Sequence, residues 1–437
     1  MPRTVVEPTC GRGAFLVAAR AAFPAARLVG LDVSAAHLAA ARDALGDAAT
    51  LTHADFFGVD WAAEMACAEA PVLVLGNPPW VTSATIGAIG AANLPPKSNA
   101  AGLRGLDAIT GKANFDVSEW MITRLVDATR DTDATIAVLC KASVARRVLV
   151  DACKRRVPAR ASVLRVDARA HFRAAVDAAL LVIERAGEPI RAWDEHDGLS
   201  TRAPARRAGI VDGAPCPDLG AAARTRDLEG ESRDWRSGVK HDCAAVMELS
   251  RDGGRLVNGL GEPVDVEEEL VYPLLKSSDV ARGLGPRRWM VVTQRALADD
   301  TRALERRCPR AWAYLARHAA RLAARKSSVY AGRPPYAMFG VGDYAFADHK
   351  VAVSGLYKRA RFSAVAPFEG RPVLVDDTCY ALPCADGGGA ARLAEALNGP
   401  RAQAFFAARA FTDSKRPITK ALLASLSIEA LLSPCGG

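Results

Sequence analysis

Val72-Leu73-Val74-Leu75 is apolar at every position and closes a series of short strand-like runs separated by helical ones. A strand that is apolar on both faces is buried on both faces, as in a parallel sheet with helices above and below it. Residues 4–8, 27–33, 50–54 and 72–75 read as strands, with helical patterns over 13–23 and 35–45. Further along, 118–129 and 144–155 read as helices, and 134–139 and 178–183 as strands. This alternation predicts an α/β domain with a mainly parallel sheet over residues 1–186.

Residues 187–236 break the rhythm. Pro189, Pro204, Pro215 and Pro217 stand among many arginines with few periodic apolar positions, which predicts a connecting segment. From 237 to 437 the pattern turns to an irregular α+β domain, with short strand-like runs at 290–293, 350–354 and 373–375. Long helical runs cover 303–326 and 390–408. Charge divides along the same line. Residues 1–150 carry 13 Lys+Arg against 14 Asp+Glu, and the rest carry 44 against 35, giving the net +8. A near-neutral front and a basic back suit a catalytic domain followed by one that meets a polyanion.

Ten cysteines are scattered without any C-x-x-C, the closest pair being Cys379 and Cys384, so no metal-ligand spacing is present. No apolar run approaches the ~20 residues needed to span a bilayer, and the N-terminus lacks signal-peptide architecture. The cytoplasm is the expected compartment, with no membrane partner.

The polar residues that follow the strands form an ordered set. Glu7-Pro8-Thr9-Cys10-Gly11-Arg12-Gly13 lies between the first strand and its helix, where glycines allow a sharp turn and a close ligand. Asp32 ends the second strand, about twenty residues after the glycines, where an acid can accept from ribose hydroxyls. Asp55-Phe56 follows the third strand, offering an acceptor for an adenine amino group and a ring for its face. Asn77-Pro78-Pro79-Trp80 follows the fourth. An Asn oxygen and the next backbone carbonyl can both accept from one planar –NH2, the prolines fix the backbone, and the tryptophan offers a face for stacking. A dinucleotide fingerprint would need glycine at residue 16, where Leu16 stands, so an adenosine cofactor without a pyrophosphate fits better.

These residues resemble the amino-methyltransferases that modify adenine N6 in DNA. Within them they resemble the restriction–modification subgroup in which the cofactor motif precedes an Asn-Pro-Pro-aromatic motif and a target-recognition domain follows. The resemblance runs from residue 4 to about 185, and more loosely over 237–428. It implies a Rossmann-like S-adenosylmethionine-dependent fold, with Asn77, Pro78, Pro79 and Trp80 as the catalytic tetrad. It assigns the cofactor to Glu7, Thr9, Gly11, Gly13, Asp32, Asp55, Phe56 and Asn77, with no metal. His171-Phe172-Arg173-Ala174-Ala175-Val176 is similar to a later motif, which nominates Phe172 beside Trp80 for stacking on an extruded base. Asn114-Phe115-Asp116 opens a helix where the family lines its pocket. A further family motif that ordinarily precedes the first strand has no room before residue 4, so the expectation is a catalytic domain without it.

In the back half, Ser237-Gly238-Val239-Lys240, Val271-Tyr272-Pro273-Leu274-Leu275-Lys276 and Phe411-Thr412-Asp413-Ser414-Lys415-Arg416 resemble recurring segments of such recognition domains. The expected partner is double-stranded DNA, with any cognate restriction endonuclease on a separate chain. Asp348-His349-Lys350 is too short a pattern to carry a nuclease, and no phosphate-binding G-x-x-x-x-G-K-[ST] occurs. Three alternatives stand beside this reading. An RNA methyltransferase and a protein-glutamine methyltransferase can use the same tetrad, and a non-catalytic DNA-binding remnant would retain the basic domain.

Overall fold

The computed structural model describes residues 1–81, 116–173, 176–232 and 234–433. It divides into two compact units, Met1–Gly220 and Ala221–Gly437.

The first unit is built on one sheet of ten strands. In chain order these are β1 (Thr4–Glu7), β2 (Arg27–Asp32), β3 (Ala49–His53), β4 (Val72–Gly76), β5 (Ala134–Lys141), β6 (Pro158–Val166), β7 (Ala178–Pro189), β8 (Ala192–His196), β9 (Arg206–Val211) and β10 (Ala214–Cys216). Across the sheet they run β10-β9-β8-β6-β7-β5-β4-β1-β2-β3. Strands β3, β2, β1, β4 and β5 are parallel, and β7 returns antiparallel between β5 and β6.

The sequence pattern explains the layers. Val5 on β1 packs with Leu16 and Leu38, from the helices α1 (Ala14–Ala22) and α2 (Ala35–Leu45), while Leu73 and Leu75 of β4 lie against the same cluster. Val6, Val72 and Val74 point the other way. There they meet Met65 of α3 (Trp61–Cys67), Met121 and Ile122 of α4 (Val117–Ala128), and Val148 of α5 (Ala142–Lys154). Each valine or leucine so buried contributes about 2 kcal/mol, and successive residues of one strand serve opposite layers. α5 shows the helical counterpart: Ala145, Val148, Leu149 and Ala152 are buried at the spacing of one helix face.

The expected connecting segment is corrected at its front. Residues up to 220 belong to the first unit, and β8, β9 and β10 extend its sheet. The prolines that suggested a linker sit where a sheet tolerates them: Pro189 ends β7, Pro204 and Pro217 lie between elements, and Pro215 is on the edge strand β10.

The second unit holds two sheets. One has four strands, from Arg236–Ser237, Cys379–Cys384, His349–Ser354 and Phe362–Val365. The other has five, from Arg255–Asn258, Glu248–Asp252, Arg288–Val291, Val271–Leu275 and Leu374–Val375. The two long helical runs expected here are both divided. Pro309 starts a new helix after Cys308, and Pro400 starts another after Gly399, because proline satisfies a helix's first turn but not its interior. No helix among the described residues is long and apolar enough to cross a membrane.

A buried ionic group ties this unit together. Glu248 accepts from Lys276 Nζ at 2.6 Å and lies 3.3 Å from His241 Nε2, and Lys276 also reaches Asp376 at 3.1 Å. Beside it, Gly238 threads past backbone: a Cβ there would sit 2.2 Å from the Asp376 oxygen and 2.3 Å from that of Val375. Neither obstacle is a flexible side chain. Gly238→Ala is therefore expected to destabilise the second unit by about 3 kcal/mol, lowering its Tm by roughly 6–12 °C. Thermal unfolding followed by circular dichroism checks this, and a shift within error would contradict the account.

Candidate active site

The strand order reverses direction at β1. The chain leaves β1 toward β2 on one side, whereas β4, on the other side, leads on to β5. Loops leaving β1 and β4 therefore diverge, and the crevice between them is where open α/β sheets bind ligands. The turn after β1 carries Thr9, Gly11 and Gly13; the turn after β4 carries Asn77-Pro78-Pro79-Trp80.

Glu7, the last residue of β1, is 2% exposed. It leans on the end of β4, since a Cβ at Gly76 would lie 3.5 Å from Glu7 Cγ. Its Oε2 is buried without a hydrogen-bond partner among the described residues. Burial pushes the Glu7 pKa from 4.5 up to about 8, the Leu16 backbone N–H works against that rise, and the Asp32 charge adds to it.

The turn itself is held from β2. Cys10 N–H donates to the Leu31 carbonyl at 2.8 Å, and Gly11 N–H donates to Asp32 Oδ2 at 2.8 Å. Gly11 has φ +51° with open space where a side chain would be, so its backbone faces the crevice bare. Gly13, at φ +82°, answers a different demand: a Cβ there would press on Ala41 and Leu45 of α2 at 3.2 Å. Thr9 is half-buried in the turn. Asp32, 9% exposed, accepts Gly11 N–H with one oxygen and Ser34 N–H with the other, at 2.8 Å. Oδ1 also lies 3.4 Å from His37 Nδ1, while Oδ2 keeps a second lone pair.

Asp55 is half-buried and caps the turn that follows β3, with Oδ1 accepting Phe57 N–H at 3.1 Å. Phe56 is 5% exposed, its ring 4.8 Å from that of Trp61 and 6.3 Å from that of Trp120. Its neighbours are thus core aromatics.

In the tetrad, Asn77 and Pro79 are exposed and Pro78 is buried. Trp80 is half-buried against the cluster of Leu139, Val166, Ala168 and Ala178, which Phe15 and Leu180 also flank. Its Nε1 is buried without a partner among the described residues. Ala168 begins a five-residue helix, Ala168–Phe172, whose last residue, Phe172, is 47% exposed. Asn114, Phe115, Ala174, Ala175 and the segment 82–112 lie outside the described residues.

One residue at this end of the sheet escaped the sequence reading. Lys141, the last residue of β5, donates to the Trp80 carbonyl at 3.2 Å and to Asp116 Oδ2 at 2.6 Å. A cation closing an otherwise apolar buried strand was the available signal.

A parallel sheet with β7 returned antiparallel, a glycine turn braced by the acid that ends β2, and a buried unsatisfied carboxyl define a Rossmann-like S-adenosylmethionine-dependent methyltransferase. The donor set fits that cofactor: Glu7 offers an unused acceptor, Gly11 a bare backbone, and Asp32 an Oδ2 with a second lone pair. No family model matches the chain. The type II methyltransferase M.NspV of Nostoc sp. is 37% identical over 441 residues, covering 98% of this chain and 92% of that protein. The type IIL restriction–modification enzyme MmeI, solved in complex with DNA, superposes with a TM-score of 0.59 at 13% identity. That match covers 97% of this chain and 61% of MmeI, so the chain spans about three fifths of the longer enzyme, and the likeness is one of fold.

The chain belongs to the DNA methyltransferases of restriction–modification systems, and its methyl donor is S-adenosylmethionine.

Glu7 ties the stability of the fold to pH. Its folded-state pKa lies above its unfolded value, so between about 4.5 and 8 the folded protein binds the extra proton. Below that window both states are protonated and the shift has no effect, and stability is lost progressively as pH rises through it. Glu7→Gln is expected to flatten this component: the Tm difference, variant minus wild type, should grow from pH 5 to pH 8. A difference independent of pH would contradict the protonated, unsatisfied carboxyl.

Proposed function

We propose that the chain transfers a methyl group to adenine N6 at a specific site in duplex DNA, acting on a base flipped out of the helix. The observation that carries this reading is the exposure of Asn77 directly beyond β4, beside the crevice that Glu7 and Gly11 line from β1.

S-adenosylmethionine, when bound, supplies an electrophilic methyl on a sulfonium. The side chains to hold it are Glu7, Asp32, Asp55 and Phe56, with the Thr9–Gly13 turn; the chain's own chemistry acts on the amine. Adenine N6 is a weak nucleophile because its lone pair is delocalised into the ring. Asn77 Oδ1 and the Pro78 carbonyl each accept one amino proton, drawing charge onto the nitrogen and pulling it out of the ring plane. Pro78 and Pro79 hold these acceptors in place beforehand, so little reorganisation is needed as charge develops. A base inside a duplex cannot reach such a pocket; Trp80 and Phe172 replace the stacking it loses on extrusion.

The second unit serves target recognition in this reading. Residues 221–437 carry 32 Lys+Arg against 25 Asp+Glu. Arginines and lysines there neutralise phosphates, so binding weakens steeply with salt. A cognate endonuclease would act on the same site from a separate chain.

Purified protein is incubated with labelled S-adenosylmethionine and mixed-sequence duplex DNA, RNA and a protein extract, and the modified residue is identified. Label in N6-methyladenine from DNA is expected. Asn77→Ala should lower the rate by about 10²–10³-fold or more, with DNA binding retained. Label in another nucleoside, or in RNA or protein, would overturn the adenine assignment. An active Asn77→Ala variant would overturn the role of the tetrad.

A further inference from the structure

Asn77-Pro78-Pro79-Trp80 contains two residues with no backbone N–H, so the turn has few donors with which to fasten itself. The observed holds on its far end come from outside it. Val117 N–H, in the first turn of α4, donates to the Val81 carbonyl at 2.9 Å, and Lys141 Nζ donates to the Trp80 carbonyl at 3.2 Å.

Lys141 is well placed for this. β5 pairs with β4 as far as Gly76↔Val138, and the Lys141 backbone pairs with Ala178 of β7, so its Cα is fixed beside the exit of β4. Its side chain is 29% exposed and joins Asp116, whose side chain is 7% exposed. Asp116 is itself fixed. Its Oδ1 accepts both Ser118 N–H, at 3.2 Å, and Ser118 Oγ–H, at 2.6 Å, at the start of α4, and its Oδ2 is left to Lys141. One ammonium thus joins three elements: the end of β5, the first turn of α4 and the turn after β4. Two of its three donors are used in doing so.

We propose that Lys141, backed by Asp116, is a positioning residue that pins the Trp80 carbonyl and so fixes the two amine acceptors upstream of it. This rests on the reading of Asn77 and Pro78 as those acceptors. The cation touches neither the base nor the methyl donor. It acts through the peptide geometry of a segment whose prolines transmit a displacement of Trp80 back to Pro78.

The test uses Lys141→Met, Lys141→Arg and the double variant Lys141→Met/Asp116→Asn in the full chain, with Asn77→Ala as the reference. Lys141→Met should lower kcat by about 10–100-fold, the cost of a displacement near 1 Å. The Kd for S-adenosylmethionine, read by calorimetry, should change less than about twofold, because the pinned turn leaves β4 while Glu7, Gly11 and Asp32 belong to β1 and β2. Lys141→Arg should recover part of kcat, keeping the charge and the donors. Lys141→Met alone leaves Asp116 unpaired and buried, so Tm falls with it. The double variant removes that charge and should recover Tm without recovering kcat. The proposal is overturned if kcat in Lys141→Met stays within twofold of wild type, or if kcat returns together with Tm in the double variant. Unchanged activity in Asn77→Ala overturns instead the underlying reading of the tetrad, a result the Lys141 variants cannot produce.

Discussion

The structure depends on the seam between β1 and β4. These strands pair in parallel, Thr4 to Val72 through Val6 to Val74, yet their following segments turn to opposite sides of the sheet. That topology opens the crevice, and the register decides what faces it: Glu7 and Gly76 end the two strands side by side. Gly76 supplies no side chain, and the Glu7 carboxyl lies against the space left free. The glycine and the acid are therefore one feature. A side chain at 76 is disfavoured by the φ of +153°, and a shorter acid at 7 would not reach across the seam.

The two sides of the crevice are held by different means. The β1 turn is braced by its Cys10 and Gly11 N–H groups donating to the Leu31 carbonyl and the Asp32 carboxylate, so β2 sets its shape. The β4 turn, poor in donors because of its prolines, depends on β5 and α4 through Lys141 and Asp116. In the proposed reaction this separates cofactor affinity from amine activation. Residues that hold the methyl donor and residues that shape the amine acceptors hang from different strands, and substitutions on one side need not disturb the other.

Much of the first unit was legible because its signals are local. Val72–Leu75 had to be doubly buried, and acids or glycines at strand ends had few other uses; the structure has strands at each of the six positions read in that unit. What escaped depended on tertiary context. β6, Pro158–Val166, alternates alanine and valine with arginine and serine, a weak pattern that became a strand only because β7 and β8 flank it. β8, β9 and β10 were hidden by prolines that occupy strand ends and an edge. The helical runs over 303–326 and 390–408 carried continuous apolar periodicity, yet Pro309 and Pro400 restart the helix within each. In the candidate site, residue types and their order after the strands nominated Glu7, Asp32 and Asn77. Lys141 left only the signal of a cation closing an apolar strand, because its significance lies in a carbonyl 61 residues away in sequence.

The aromatic pair shows how much stacking chemistry depends on packing rather than on residue type. Trp80 is half-buried against the cluster of Leu139, Val166, Ala168 and Ala178, so burial restricts its ring before any base arrives. Phe172 ends a helix of only five residues and stands 47% exposed. If both stack on an extruded base, as proposed, they contribute differently. The fixed ring loses little rotamer entropy on binding, whereas the exposed one must be ordered at a cost of about 0.5–1.5 kcal/mol. Ala168 links them, since it packs against Trp80 and begins the helix that carries Phe172. The rigid ring therefore also bears on where the exposed one can move, and the tetrad's last residue acts as a structural floor for the wall opposite.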